Sequence, residues 1–560
     1  MVSMSIVIDK KKLMRALDME GQFKQALRDE LTGFIRRIYY APDNCDSAYP
    51  LTCFDNKIYV HFNNQGDLYR DICWYDSKGV KRCDYQFNIY EFNTEGKTWR
   101  KVLERYMYDA SGNIYWAVGY EDAPVTVFRT KQNKLNVFLL LYSEAGNKYS
   151  LDGVNWVSYP QDLPYLSDMH VRGDWTTTAL GNIGTKIYMK TASIGDMDVL
   201  DTSGWTLDAD LTTFGLPSGA WVKPIFIGQT PNVFVLTNWR DLGAGWVGEF
   251  LRTGAGSYTL KKYRIAFGGM NKPYIYDSLA TLNITQGIGQ ASPHTYGVML
   301  GGVKEVAVLR DGNGRIFFLD ENGGLSLALD LWGRTYFFQA FTFPMLGGSN
   351  RSIPATRLGD RLVFATSSYR GSTMASEIWS FDGIQFYRHV KLSFHIESLA
   401  VCRDTLWASA NLWNSIGDDP QVLTLSKAFL VEFDHGLLTR WELPPRQYWV
   451  WDGYSIGASG QYSDAEYFDG TYYYPGVEIL TTGYEKKAVY IYSDQPGTLD
   501  IEIDPDLRGS YKPFDSISIT AGKLNKYITT DPFARMRFKF TPSTTAIVSA
   551  WVVLEGGEKS

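Results

Sequence analysis

The sequence predicts a mainly β protein: a β-propeller of about seven blades, with six to eight possible, between a short N-terminal helical segment and a C-terminal β-sandwich. A polar turn that ends in an aromatic residue recurs along most of the chain, and aromatic residues make up 15% of it. The last 75 or so residues alternate apolar and polar side chains in short runs. A chain of 560 residues is too long for one core unless a closed repeat takes up most of the length.

Residues 1–42 form the first predicted unit. Between Lys11 and Tyr40 most steps between apolar residues are three or four, which is helical spacing. The apolar positions are Leu13, Leu17, Phe23, Leu27, Leu31, Phe34 and Ile38. The segment is therefore expected to be a helix that packs on its own protein or anchors the chain to a partner.

Residues 43–480 form the predicted propeller. The recurring turn ends at Trp99, Trp156, Trp205, Tyr258, Leu325, Phe386 and Trp441. Successive copies lie 49 to 67 residues apart, a little more than the roughly 40 to 50 residues of common blades. A four-stranded blade cannot bury both faces alone, whereas a ring of blades buries them against each other. Two separate β-domains would require the even spacing to be a coincidence.

Residues 485–560 form the predicted sandwich. Its five strands are expected at Val489–Tyr492, Thr498–Ile503, Ser516–Ile519, Arg535–Phe540 and Ile547–Leu554. Five alternating strands in about 70 residues fit a small β-sandwich.

Charge and motif content exclude several functions. The net charge of −6 gives no basic surface for nucleic acid. No apolar run is long enough for a membrane span, and no secretory signal follows Lys10–Lys12. No phosphate-binding loop, zinc motif or nucleophile elbow occurs, so no cofactor is expected.

Four of the five cysteines, Cys45, Cys53, Cys73 and Cys83, lie within 39 residues, and the fifth is Cys402. None forms a C-x-x-C pair, which disfavours zinc. They are interpreted either as small buried residues on neighbouring strands or as forming one or two disulfides, and the sequence leaves open whether the first four are bonded.

Carbohydrate binding is the most specific chemistry that the residues suggest, because sugar rings stack on exposed Trp and Tyr faces. The candidates are Trp449, Trp451, Tyr454, Tyr472, Tyr473 and Tyr474. Buried packing in the propeller explains the same residues equally well.

Calcium is a weaker hypothesis. The carboxylates Asp500, Glu502, Asp504 and Asp506 alternate along a strand and could bind Ca²⁺. A solvated acidic strand edge is the alternative interpretation. The sequence holds no complete catalytic constellation, so the chain is not expected to be an enzyme.

The segment Ser150–Trp156 resembles the Asp-box, the structural hairpin turn of sialidase-like propellers. The stretch from Tyr490 to Phe538 resembles small β-sandwich modules of tail and spike proteins of phages and archaeal viruses. The combination of propeller, sandwich, short helical N-terminus, no secretory signal and high aromatic content resembles a structural virion component. That resemblance implies a propeller platform, a helix and a sandwich that contact other virion proteins, a homo-oligomeric assembly, and attachment to a host glycan. The alternatives are a sialidase-like glycoside hydrolase and a cellular carbohydrate-binding surface protein.

Overall fold

The computed structural model describes 22 stretches of the chain. They are residues 34–42, 47–63, 73–75, 81–83, 86–106, 123–131, 134–142, 148–160, 162–171, 174, 176–193, 195–218, 220–228, 230–236, 246–264, 280–281, 297–300, 304–310, 315–331, 355–370, 373–411 and 428–557. The predicted helix before residue 34, and Cys45, lie outside these residues.

The protein is mainly β. The first strands are β1 (Ile35–Tyr40), β2 (Ser47–Phe54), β3 (Lys57–Asn63), β4 (Cys73–Tyr75), β5 (Lys81–Cys83), β6 (Gln86–Asn93), β7 (Thr98–Tyr106), β8 (Ala123–Lys131), β9 (Lys134–Tyr142), β10 (Lys148–Ser150), β11 (Val157–Ser158), β12 (Tyr165–Val171), β13 (Thr176–Ile183), β14 (Lys186–Ser193) and β15 (Thr206–Asp210). The next are β16 (Trp221–Ile227), β17 (Thr230–Leu236), β18 (Trp246–Gly254), β19 (Ser257–Arg264), β20 (Ala280–Thr281), β21 (Gly297–Leu300), β22 (Lys304–Arg310), β23 (Arg315–Asp320), β24 (Leu325–Asp330), β25 (Ala355–Leu358), β26 (Arg361–Arg370), β27 (Thr373–Phe381), β28 (Phe386–Leu392), β29 (His395–Cys402), β30 (Thr405–Asn411) and β31 (Ala428–Phe433). Short 3-10 helices span Leu211–Phe214 and His435–Thr439.

The remaining strands follow residue 445. They are β32 (Arg446–Ile456), β33 (Gln461–Tyr462), β34 (Tyr467–Phe468), β35 (Tyr473–Tyr474), β36 (Gly476–Val477), β37 (Ile479–Leu480), β38 (Tyr484–Ser493), β39 (Gly497–Asp504), β40 (Lys512–Ile519), β41 (Leu524–Thr529), β42 (Arg535–Pro542) and β43 (Ala546–Gly557).

Within the described residues up to 433, seven sheets of at least four strands follow one another along the chain. We number them sheets 1 to 7. Their strands are β2-β3-β6-β7, β8-β9-β10-β11, β12-β13-β14-β15, β16-β17-β18-β19, β20-β22-β23-β24 with β21 on β22, β25-β26-β27-β28, and β29-β30-β31-β1. Neighbouring sheets share apolar clusters, such as the cluster that joins Val306 of sheet 5 to Phe364 of sheet 6. Strands β4 and β5 form a separate hairpin whose register sets Cys73 opposite Cys83.

The end of the predicted helix is wrong, because these residues form strand β1. Residues Ile35–Tyr40 are a strand, which pairs antiparallel with β31 and completes sheet 7. Ile35 and Ile38 are three residues apart in this strand, and both pack in the apolar cluster that sheets 6 and 7 share, because the register of the pairing shifts between Ile35 and Arg37. The first described strand and the last strand of the series thus lie in one sheet.

A disulfide links the first and last sheets. Cys53 of β2 bonds to Cys402 of β29, with the two Cα atoms 5.4 Å apart and a sequence separation of 349 residues. Strand β2 also packs directly on β29 and β30. Of the two interpretations of the cysteines, the disulfide applies to Cys53, whose partner lies across the boundary between sheet 1 and sheet 7.

The turn at Asp152 packs sheet 2 against sheet 1. Asp152 accepts hydrogen bonds from the backbone N–H groups of Val154 (2.8 Å) and Asn155 (2.7 Å), which hold the pKa of its carboxyl well below the usual range. Gly153 has φ +75°, and a Cβ there would overlap the Tyr59 hydroxyl of sheet 1. The turn therefore needs glycine for its backbone conformation and for the contact between the sheets.

The C-terminal strands form two packed sheets. One has the order β32-β43-β38-β41 and is called the outer sheet below; the other has the order β33-β42-β39-β40, with β37 on β42. Their shared core includes Val489, Leu499, Phe538 and Val552. Strand β32 lies in the range predicted for the propeller, yet it pairs with β43.

Arg446, at the start of β32, fastens these two sheets to sheet 6. Its guanidinium is fully buried and donates to the Gln385 side chain and to the Phe386 carbonyl, both at 2.6 Å. Gln385 in turn donates to the carbonyls of Leu480 (3.2 Å) and Thr482 (3.1 Å). Residues 457–483, called the connecting segment below, continue this junction, since β35 pairs with β19 and β36 with β24.

Replacing Gly153 with alanine should lower the free energy of unfolding by about 2–4 kcal/mol, because a positive φ and the overlap with Tyr59 both oppose a side chain. Gly184→Ala is the matched control: its φ is also positive, at +56°, but no atom lies within 4 Å of the place where its Cβ would be. It should cost about 1 kcal/mol. Urea unfolding of both variants measures the difference, and equal costs would contradict the close packing of sheets 1 and 2.

Replacing Cys402 with alanine should lower the free energy of unfolding by about 2–4 kcal/mol, because the disulfide restricts the unfolded chain over a long loop. The measurement is thermal or urea unfolding without reductant. Cys53→Ala and the double variant should lose a similar amount, since each removes the same bond. Additive losses would show that the two cysteines do not act as a pair.

Candidate glycan-binding surface

Three aromatic rings and a lysine form one row across the outer face of the outer sheet. The register sets Trp449 opposite Trp551, Trp551 opposite Tyr490, and Tyr490 opposite Lys526. The ring centroids lie 5.2 Å apart for Trp449–Trp551 and 5.4 Å apart for Trp551–Tyr490. The Lys526 ammonium lies 5.1 Å from the centre of the Tyr490 ring. We call these four residues the aromatic ladder.

Alternation along the strands places the ladder outside. In β43 Ala550 and Val552 are buried while Trp551 between them is partly exposed. Tyr490 lies in the same way between two buried residues of β38. One face of each strand thus fills the core of the sandwich, and the other presents the ladder.

Trp449 is the exposed end of the ladder. Its strand, β32, is at the edge of the outer sheet, and its side chain is 50% exposed. Among the described residues its ring contact comes from Trp551 on one side. At the other end of the ladder the lysine covers the tyrosine. Trp449 is therefore the ring whose face is most open to a ligand.

Trp451, the second predicted candidate in this strand, lies in the core. It is 2% exposed and contacts Phe538 edge to face, with centroids 5.3 Å apart. Residues two apart in a strand normally share a face, but the register shifts between Trp449 and Trp451. The irregularity sends one ring outward and the other inward, which removes Trp451 from the candidate surface.

The predicted tyrosines belong to a second aromatic cluster. Tyr454 stacks on Tyr467 with centroids 4.2 Å apart, and Tyr474 lies against both rings. The Tyr474 hydroxyl donates to Asp469 (2.9 Å), and burial raises the pKa of Tyr454 well above its usual range.

Tyr473 lies in the same hairpin of the connecting segment and contacts Phe468 and Tyr263 of sheet 4. Tyr472 is half-buried beside it. These tyrosines join the sandwich to sheet 4 and offer less open ring surface than Trp449.

The four predicted calcium ligands do not meet in one cluster. Glu502 pairs with Arg537 (2.7 Å), Asp504 with Arg535 (2.9 Å) and Asp506 with Arg508 (3.0 Å), while Asp500 accepts from the Ser516 hydroxyl (2.8 Å). No group of three or more His, Cys, Asp or Glu side chains suited to a metal ion occurs in the part of the chain that the structure describes. Arginines supply the positive charge that a cation would otherwise bring.

A serine, a histidine and a glutamate lie in series between sheets 6 and 7. The Ser367 hydroxyl is 3.1 Å from Nδ1 of His395, and Nε2 of His395 is 3.1 Å from a Glu397 oxygen. All three side chains are buried. Because a nucleophile must be reached by its substrate, we assign this series to packing between the sheets.

Comparison with known proteins leaves the family open. No family model and no curated protein matches the sequence. Similar solved structures include a streptogramin B lyase, at 10% identity and TM-score 0.29, covering 71% of this chain and 97% of that one. YCF48 from Cyanidioschyzon merolae shares 10% identity at TM-score 0.32, covering 71% of this chain and 98% of its own. The Bombyx mori GH32 β-fructofuranosidase BmSUC1 shares 9% identity at TM-score 0.22, covering 98% and 99%. Similarity at this level transfers no activity to the chain.

The described part of the chain contains no helix long and apolar enough to cross a membrane.

Three ladder residues, Trp551, Tyr490 and Lys526, were not among the predicted site residues. Each of them occupies a solvent-facing position in a strand that alternates between buried and exposed residues. That alternation could have identified them, provided that the pairing order of the strands was also known.

Proposed function

We propose that this chain is a non-catalytic glycan-binding protein whose sandwich binds sugar at the Trp449 end of the aromatic ladder. The observation that carries the proposal is a half-exposed tryptophan on an edge strand, which packs against Trp551, a ring that itself stacks on Tyr490. Tryptophan combines a large apolar face with little conformational entropy to lose, and so suits stacking on a sugar ring.

The proposal extends to the scaffold, which we infer to be a seven-bladed propeller spanning residues 35–433. Three features support a ring: seven sheets in chain order, the pairing of β1 with β31, and the packing of β2 on β29. The role of the ring is to carry the sandwich through Arg446 and the connecting segment.

Polar groups next to Trp449 favour sugar over a second protein as the ligand of this end. Gln447 and Asp452 are exposed on the same edge strand, and the Ser549 hydroxyl of the neighbouring strand accepts from the Gly453 N–H of that edge strand at 3.0 Å. Amides, carboxylates and hydroxyls are the groups that pair with sugar hydroxyls. Host-surface attachment within a homo-oligomeric virion component is the setting that the sequence predicts for such a module.

Trp449→Ala should weaken glycan binding about tenfold or more, which corresponds to about 1.4 kcal/mol, because it removes the stacking face. The measurement is binding of the full chain to an array of neutral and acidic oligosaccharides, followed by titration calorimetry with the best ligand. Phe468→Ala is the matched control: its ring is also 50% exposed but lies in the connecting segment, so binding should stay unchanged.

Two results would overturn the proposal. The first is an array without any bound oligosaccharide at high protein concentration. The second is concentration-dependent self-association, measured by analytical ultracentrifugation, that Trp449→Ala abolishes; this outcome would assign the ladder to contact between copies of the chain.

A further inference from the structure

Four buried glutamates occupy equivalent places, on the third strand of their sheets, opposite a basic residue of the outermost strand. The opposed pairs are Glu91–Arg100, Glu249–Lys261, Glu377–Lys391 and Glu432–Arg37. A buried carboxylate is costly unless it is paired and hydrogen-bonded, so a basic residue opposite it is the expected remedy.

Three of the four glutamates are well satisfied. Glu91 accepts from the Tyr59 hydroxyl (2.8 Å) and pairs with Arg100. Its counterpart in sheet 7, Glu432, accepts from the Tyr39 hydroxyl (2.8 Å) and pairs with Lys97 (3.4 Å).

In sheet 6 the arrangement is slightly different. Glu377 pairs with Arg388 (3.2 Å) and accepts from the Trp379 indole N–H (3.2 Å). Every one of these three carboxylates thus has both a cation and a neutral donor.

Glu249 departs from this pattern. Its side chain is buried, and neither carboxylate oxygen has a hydrogen-bond partner among the described residues. The lysine opposite it points elsewhere: Lys261 donates to the Gly323 carbonyl (2.9 Å) and pairs with Glu466 (3.2 Å). The lysine opposite Glu249 is therefore paired with another carboxylate, and, unlike the other three glutamates, Glu249 has no cation in its place among the described residues.

Glu466 belongs to the connecting segment and docks it on sheets 4 and 5. Besides Lys261, its carboxylate accepts from the Tyr263 hydroxyl of sheet 4 and from the Leu325 N–H of sheet 5 (3.0 Å). The parallel pairing of Tyr473 with Tyr263 continues the same contact. The same carboxylate therefore contacts sheets 4 and 5 and pairs with Lys261.

The ionisable groups that face Glu249 are Lys261 and Tyr263 of its own sheet, Asp320 of sheet 5, and Glu466. Asp320 has its own cation, Lys304, at 3.0 Å. Burial is the largest cause that raises the pKa of Glu249, to about 8. The negative charges of Glu466 and Asp320 raise it as well, whereas the positive charge of Lys261 lowers it.

We propose that Glu249 and Glu466 compete for Lys261, so that a proton on Glu249 latches the connecting segment, and with it the sandwich, onto sheets 4 and 5. With Glu249 neutral, Lys261 pairs with Glu466 and the segment is docked. Loss of that proton leaves a buried anion, which draws Lys261 back across the sheet and releases Glu466. The protonation state of Glu249 thus decides which of the two glutamates pairs with Lys261.

The direction of the pH dependence follows from the raised pKa. The charge of docked Glu466 helps to raise the pKa of Glu249, and Glu466 also takes Lys261 from it, so docking favours the protonated form of Glu249. The contribution of that proton to docking is present well below pH 8 and is lost as pH rises through about 8. The sandwich is therefore held most firmly in mildly acidic solution.

Hydrogen exchange of peptides from residues 457–475 tests the latch in the full chain. After correction for the intrinsic rate, the opening of this segment should increase about tenfold or more between pH 6 and pH 8.5 in the unaltered protein. Glu249→Gln keeps the shape and removes the titration, so its opening should change less than twofold. Glu377→Gln, which alters a buried glutamate with a cation of its own, is the matched control and should keep the full pH dependence.

Glu466→Gln separates the latch from simple packing. It leaves Glu249 untouched but frees Lys261 to pair with it, so the segment should open more at pH 6 and respond less to pH. If Glu249→Gln retains the pH dependence, or if opening in the unaltered protein is the same at both pH values, the proposal is wrong. A pH dependence that Glu466→Gln leaves unchanged would likewise exclude competition for Lys261.

Discussion

The pairing of β1 with β31 is the contact on which the order of the sheets depends. Each of sheets 1 to 7 buries apolar side chains against its neighbours, so a series with two free ends would leave two apolar faces in water. Strand β1 comes from the start of the described chain and completes the last sheet, while β2, which follows it, begins the first sheet. One short segment therefore belongs to both ends of the series, and the Cys53–Cys402 disulfide fixes the same boundary covalently.

The buried Arg446 guanidinium fixes the junction between sheet 6 and the sandwich. Arg446 has no carboxylate partner within the described residues; its donors meet the Gln385 amide oxygen and the Phe386 carbonyl. The rings of Phe386 and Tyr484 lie 5.7 and 5.4 Å from its guanidinium carbon. A buried guanidinium without these acceptors would be strongly destabilising. Sheet 6 and the sandwich therefore stabilise each other in this one arrangement.

The mainly β character and the turn chemistry could be predicted because both are local. The Asp152 turn depends on side chains within four residues of one another, and alternation identified five of the sandwich strands. Strand β41 was missed, since Leu524–Thr529 is short and carries exposed apolar residues on its outer face. Strand β1 and the Cys53–Cys402 bond were missed for a different reason: each depends on a partner more than 300 residues away.

The candidate functional features lie where a local rule is broken, and this explains why the sequence pointed to them only in part. Simple alternation would put Trp449 and Trp451 on the same face; the irregularity between them leaves one ring in the core and the other in solvent. The repeated pairing of a buried glutamate with a cation would satisfy Glu249; instead its lysine binds the segment that carries the sandwich. Natural proteins keep such departures at a cost in stability mainly where function requires them. A repeat found in the sequence therefore shows what each strand and ion pair would ordinarily do. The structure then identifies the strand and the glutamate that depart from it.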